Sequence, residues 1–222
     1  MVVLNELGLA AVPTRWRSKA HVVLPSATPL LALAPRQRTF DVAVVGHLRG
    51  VKDPQLTMRV VRGLPEQSRI RVFHAGTALE RRWSRAARAT ERATDRYRWL
   101  SGVSAAQARA LIRRARVLLH PSREEGGATV IVEALQSGTP VIASDCEGNV
   151  GLLGPDYPGL FPVGETDSAR ALLLRAEAEP GFYRRLLAAA SRRSRLFTPA
   201  REGNALRRLV HNSMESNPLL TR

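Results

Sequence analysis

Residues 117–144, VLLHPSREEGGATVIVEALQSGTPVIAS, constrain this chain more than any other stretch. Val117–His120 is an apolar run. A polar turn with adjacent glycines, Gly126 and Gly127, follows it. Next come a helical apolar pattern that stops at Gly138 and a second apolar run at 140–144. Glycine just past the last periodic residue is a helix stop. The order is therefore strand, glycine turn, helix, tight turn, strand, which is a βαβ unit and requires parallel strands. Two carboxylates, Glu125 and Glu133, flank the turn and the helix start with seven residues between them.

The same unit recurs along the chain. Strands are expected at 41–46, 69–74, 97–100, 117–120, 140–144 and 159–163. Helices are expected at 54–62, where Pro54 suits a first turn, at 78–93, and at 104–113, capped by Ser104. A short helical turn is expected at 149–153, and residues 166–214 read as three helices that bury apolar stripes and solvate arginines. The fold class is α/β, a Rossmann-like parallel sheet with helices on both faces and further C-terminal helices. Before residue 40 the pattern is irregular. Val2-Val3-Leu4 reads as a strand with no preceding partner, 15–20 as a basic helical turn, 20–24 as a second short strand and 25–38 as a proline-rich linker. The expected division is 1–39 remnant strand and linker, 40–198 Rossmann-like domain, and 199–222 C-terminal helix and tail.

The 222 residues are 44% hydrophobic, enough for a sizeable core, and no apolar run reaches the ~18 residues of a membrane span. The segment MVVLNELGLAAVP lacks the basic and apolar regions of a signal peptide. Cys146 is the single cysteine, which rules out an internal disulfide and a multi-cysteine metal site. These features favour the cytoplasm. A net charge of +15 raises the alternative of a basic nucleic-acid-binding α/β protein. The basic residues form no clustered arm with interleaved aromatics, which argues against nucleic acid as a partner. Nearly all of them are arginines, so Lys52, one of two lysines, stands out.

In parallel sheets ligands sit beyond the carboxyl ends of the strands. The turn at 122–129 falls there. Its glycines allow close backbone approach, and a helix start offers free N–H groups to an anion such as a diphosphate. A carboxylate one helical turn on, Glu133, can accept two ribose hydroxyls. Spacing alone leaves Glu133 equally well a surface residue and Glu125 a cap. The loop GHLRGVKD, 46–53, brings Gly46, Arg49 and Lys52 to the same edge, where a cation can neutralise a leaving diphosphate or simply line a basic loop. Backbone groups of RYRWLSGV, 96–103, can hydrogen-bond a planar base, with Trp99 read as core.

The run HPSREEGGATVIVEALQSGTPVIAS resembles the nucleotide-sugar site of glycosyltransferase family 4, a GT-B fold, over about residues 40–200. VVGHLRGVKDP, RYRWLSGV and GNVGLLGPDYPGLFPVGET, with TRWRSKAHVVLPS at 14–26, are similar to the selenosugar synthase (SenB) subgroup of selenoneine biosynthesis. The resemblance implies the C-terminal half of a GT-B fold that binds a UDP-sugar. It also implies glycosyl transfer to selenium supplied as selenophosphate, with no metal or other cofactor. Glu125 would be catalytic, facing the sugar hydroxyls. The donor-binding set would be Gly46, His47, Lys52, Leu100, Gly126, Gly127, Ala128, Thr129 and Glu133, with Lys52 on the diphosphate and Glu133 on the ribose. Asn149, Val150 and Gly151 would shape the sugar or acceptor pocket. The sequence departs from the wider family at His47, where arginine is usual, and at Gly127-Ala128, where an aromatic-glycine pair is usual. The subgroup resemblance includes His47. A GT-B enzyme also has an N-terminal domain of similar size, of which only a last strand and linker are expected here. A family 4 enzyme with a hydroxyl acceptor and an inactive truncated remnant are the remaining readings.

Overall fold

The computed structural model describes residues 1–33 and 38–215. It opens with β1 (Val2–Val3), α1 (Glu6–Ala10), α2 (Thr14–Arg17) and β2 (His21–Val22). Then come β3 (Phe40–Val45), α3 (Pro54–Arg62), β4 (Ile70–Ala75), α4 (Arg81–Ala93), β5 (Tyr97–Leu100), α5 (Ala105–Arg114), β6 (Val117–His120), α6 (Thr129–Gln136), β7 (Val141–Ser144), α7 (Glu147–Leu153) and β8 (Leu160–Phe161). Three helices close the chain: α8 (Thr166–Ala178), α9 (Pro180–Ser194) and α10 (Pro199–Glu215).

Strands β3 to β8 form one parallel sheet in the order β5-β4-β3-β6-β7-β8. The central strands β3, β6 and β7 are apolar and buried nearly throughout, as strands covered on both faces must be. The chain runs outward from β3 through β4 to β5, then returns beside β3 and runs out through β6, β7 and β8, and crossovers between parallel strands are right-handed. That reversal puts α3 and α4 on the opposite face from α5 and α6. It also opens a crevice between the carboxyl ends of β3 and β6, where ligands of such sheets bind. Val42, Leu118, Leu119, Ile131 and Ile142 lie at the buried centre.

Local chemistry fixes the elements around the crevice. Pro54 starts α3, and the Asp53 carboxylate caps it by accepting from the Leu56 N–H at 3.1 Å. Asp53 does so at φ 41°, a left-handed conformation that non-glycine residues adopt only under local constraint. Ser104 and Gln107 form a reciprocal capping box on α5. Helix α4 begins at Arg81 rather than 78, because residues 77–79 are tied to the loop after β3. The Leu48 N–H donates to the Thr77 carbonyl at 3.0 Å, and the Leu79 N–H donates to the Leu48 carbonyl at 3.1 Å.

The N-terminal part differs most from expectation. β1 pairs in parallel with β2, Val2 opposite His21 and Val3 opposite Val22, in a two-stranded sheet of its own. Helix α1 was not expected, because five residues including Gly8 carry too little periodicity to register. Asn5 caps it by accepting from the Gly8 N–H. The proline-rich stretch is pinned along the domain by its backbone: Ala27, Leu30 and Leu33 donate to the carbonyls of Phe197, Gln136 and Arg113. The rest of that linker, 34–37, and the tail after 215 lie outside the described residues. Among the described residues no helix is long and apolar enough to cross a membrane.

Candidate functional site

A cavity of about 370 Å³ sits at the crevice. Its walls come from the ends of β3 and β4 (Gly46, His47, Gly76), from Lys52, from the start of α5 (Val103, Ser104, Ala105, Ala108), and from the turn and first residues of α6 (Glu125, Gly127, Ala128, Thr129, Glu133). Lys52 is the one ammonium or guanidinium among these described lining residues. A larger cavity, about 670 Å³, lies against α5 and is lined by Leu33, Asp41, Phe73, Leu100, Gln107 and Arg114. It is mostly apolar and holds neither acid of the glycine turn, so the smaller cavity is the candidate site.

The two loops at the crevice are stitched together. The Arg123 N–H donates to the Val51 carbonyl at 2.8 Å, and the Arg123 guanidinium pairs with Asp53 at 2.8 Å. This brings Lys52 onto the Glu125 carboxylate, where Nζ donates to Oε1. The stem of Lys52 packs over Gly46. His120, at the end of β6, is 2% exposed, and its Nε2 lies 2.8 Å from the same Glu125 oxygen and 3.1 Å from Ser122 Oγ. Burial pushes the Glu125 carboxyl up, but His120, Lys52 and Ser122 outweigh it and hold the group at about 2 instead of 4.5. Burial lowers the pKa of His120, opposed by Glu125, so at neutral pH it is an uncharged donor. Glu125 is therefore an ionised acceptor across the physiological range, suited to hydroxyls or developing positive charge and unsuited to donating a proton.

Glu133 sits in different surroundings. It is half-buried on α6, with Arg109 of α5 at 3.8 Å. Burial raises its pKa and the loose pairing with Arg109 only partly offsets this. Between the two acids, the N-cap position of α6 is Ala128, which offers no side-chain cap to the first-turn N–H groups.

The structure thus gathers Gly46, His47, Lys52, Glu125, Gly127, Ala128, Thr129 and Glu133 around one cavity. Gly126 stands beside them in the turn, with its carbonyl accepting from Asn5 Nδ2 at 3.0 Å. Leu100 is placed elsewhere: it lines the larger cavity, and its carbonyl accepts from the Gly76 N–H. Residues 103–105, at the start of α5, stand where the loop after β5 was expected to meet a base. Trp99 packs against the core, and its indole donates to the Gly76 carbonyl at 2.8 Å. Asn149, Val150 and Gly151 do not line the cavity. Asn149 is fully buried and donates to Ser144, while Gly151 packs against Asn5, where a Cβ would come within 2.4 Å of Oδ1. Gly127 likewise makes room for Leu4, since a Cβ there would lie 2.6 Å from the leucine side chain. His120, Ser122 and Asn5 were missed as contributors. His120 and Ser122 carried a signal in HPSREE, which sets them at a strand end five and three residues before Glu125. Among the described residues no three His, Cys, Asp or Glu side chains converge to hold a metal ion.

The six-stranded parallel sheet with its crevice-edge acids is the Rossmann-like half of a GT-B glycosyltransferase fold, and solved structures agree. The chain superposes on sucrose-phosphate synthase from Thermosynechococcus elongatus with a TM-score of 0.81 at 19% identity, covering 97% of this chain and 58% of that one. It is similar to Anabaena Alr3699/HepE in complex with UDP, TM-score 0.80 at 17% identity, covering 97% and 63%. The lipopolysaccharide outer core galactosyltransferase WaaB, in its apo form, gives 0.74 at 16%, covering 96% and 61%. The chain therefore spans about three-fifths of the length of these neighbours. No curated protein matches it. The profile of the glycosyl transferases group 1 family matches residues 32–193, and the chain belongs to that family.

Proposed function

We propose that the cavity binds a UDP-sugar and that the chain supplies the donor side of a glycosyltransferase. The carrying observation is the arrangement at the switch point of the sheet. A Lys52–Glu125 pair stands at one end, Glu133 at the other, and an uncapped helix start lies between them. The diphosphate would lie on the N–H groups of 126–129 and on Lys52, which exchanges its carboxylate partner for phosphate. Freed from Lys52 but still held by His120, Glu125 would accept from the sugar hydroxyls. Glu133 would take the ribose, and residues 103–105 the base. In transfer, the bond from the anomeric carbon to the diphosphate oxygen breaks as the acceptor bond forms, and Lys52 and the helix start stabilise the departing UDP without a metal. A solved neighbour bound to UDP-glucose, Alr3699/HepE, supports a nucleotide sugar as the ligand.

Calorimetry with UDP on the wild type, Lys52→Ala and Glu133→Ala tests the site. Removing one contact to a charged group should weaken binding by ~1.5–3 kcal/mol, tenfold or more. Equal affinities in all three proteins would contradict the assignment.

For the acceptor, the proposal is the selenium of selenophosphate, which bonds to the anomeric carbon as the bond to UDP breaks and keeps its phosphoryl group until water removes it. It is supported by the string GNVGLLG…DYPG…FPVG, on α7 and the segment after it, which is similar to selenosugar synthases. Product analysis with selenophosphate beside sugar acceptors separates this from a hydroxyl-accepting family member. Sugar-only products would overturn it.

A further inference from the structure

Two glycines expected to face a ligand make room for the N-terminal segment, Gly127 while also lining the cavity and Gly151 away from it. Gly127 admits Leu4 and Gly151 admits Asn5. Asn5 is 1% exposed, and both ends of its amide are engaged: Oδ1 accepts from the Gly8 N–H at 2.8 Å, and Nδ2 donates to the Gly126 carbonyl at 3.0 Å. The first bond caps α1, which packs against α7, and α7 in turn presses its Gly148 onto the Glu125 backbone. The second bond reaches the phosphate turn. In a trans peptide the carbonyl and the next N–H point in opposite directions. Holding the Gly126 carbonyl toward Asn5 therefore turns the Gly127 N–H away from it, and Gly127 lines the cavity. The segment that supplies Asn5 belongs to a separate two-stranded sheet and is not an extension of the six-stranded one.

We propose that Asn5 is a positioning residue for the donor site. It sets the orientation of the Gly126–Gly127 peptide, so that docking of residues 1–24 and binding of the diphosphate favour one another. This rests on the donor-site reading above. An aspartate would cap α1 as well as asparagine does, but it has no donor for the Gly126 carbonyl, so the second bond accounts for the amide.

Coupling between two sites is reciprocal. If the N-terminal segment shapes the turn, ligand in the turn must steady the segment. The test uses the full chain and UDP, read by hydrogen exchange and calorimetry, on the wild type and Asn5→Ser. Serine keeps a cap for α1 but is too short to reach Gly126. In the wild type, UDP should slow exchange over residues 6–10. In Asn5→Ser this slowing should vanish, and UDP should bind about five- to tenfold more weakly. The proposal is overturned if Asn5→Ser binds UDP as tightly as the wild type, or if a wild type that binds UDP shows unchanged exchange at 6–10. The wild-type experiment decides even if the variant fails to fold. A wild type that binds no UDP overturns the donor-site reading itself, and this inference with it.

Discussion

Glu125 and Glu133 are the same residue type on one turn and helix, yet the fold treats them in opposite ways. Glu125 leaves the end of β6 among His120, Ser122 and Lys52, and its pKa is held at about 2. Glu133 stands on α6 with one arginine at 3.8 Å, and its pKa is raised. Regular spacing delivers both carboxylates to one cavity, but the neighbours that tune them come from other elements. Lys52 comes from the loop after β3 and Arg109 from α5. The Glu125 end of the cavity, proposed for the sugar, is thus an acceptor ionised across the physiological range. At the Glu133 end, proposed for the nucleotide, the pairing is looser and the pKa is raised.

The largest effect should come from Lys52→Ala, which removes the cation proposed for the diphosphate and releases Glu125. UDP affinity should fall by ~1.5–3 kcal/mol, and the Glu125 pKa, followed by carbon-13 NMR, should rise from about 2. An unmoved Glu125 would mean that Lys52 does not hold it.

Glu125→Gln should cost about 2 kcal/mol of stability in urea unfolding at pH 7, because a mostly buried ammonium loses its counter-ion. The sign follows from the depressed pKa. The stabilisation is fully present above the ordinary 4.5 and is lost as pH falls toward about 2. Glu133 acts in the opposite sense, since stability held by its protonated form is lost as pH rises through its raised pKa. Glu133→Gln should therefore change stability at pH 7 by no more than about 0.5 kcal/mol. Equal losses from the two glutamines would erase the contrast.

A smaller effect separates the acids by pH. If Glu133 holds the ribose in its ionised form, the affinity for UDP-glucose, whose diphosphate has no group that titrates at about 6, should begin to fall while the pH is still above 4.5, and Glu133→Gln should flatten the profile. A wild-type UDP-glucose profile that stays flat down to 4.5 would place no titrating group on the ribose.

Much of this was legible in the sequence. The strand–turn–helix pattern located β3 to β8 within a residue or two, because apolar runs, Pro54, Ser104 and Gly138 each have a local physical meaning. The strand-end position of Gly46 was legible from the pattern, whereas spacing left Lys52, Glu125 and Glu133 open and the family resemblance assigned them to the site whose cavity they line. Contacts across the chain were not legible. The docking of Leu4 and Asn5 on Gly127 and Gly151 joins residues more than a hundred positions apart, so nothing in the sequence signalled that Gly127 also makes room for the N-terminal segment, nor that Gly151 does so away from the cavity. Leu100 was assigned to the donor site through the family resemblance. The register of β5 against β4 instead bonds its carbonyl to Gly76 and leaves the cavity wall to 103–105.

The most direct test compares UDP and UDP-glucose by calorimetry on the wild type, Glu125→Gln and Glu133→Gln. The account predicts that Glu133→Gln weakens both ligands alike, while Glu125→Gln weakens only the sugar nucleotide and removes its advantage over UDP. If the two variants treat both ligands in the same way, the sugar and nucleotide ends of the cavity are not where Glu125 and Glu133 stand.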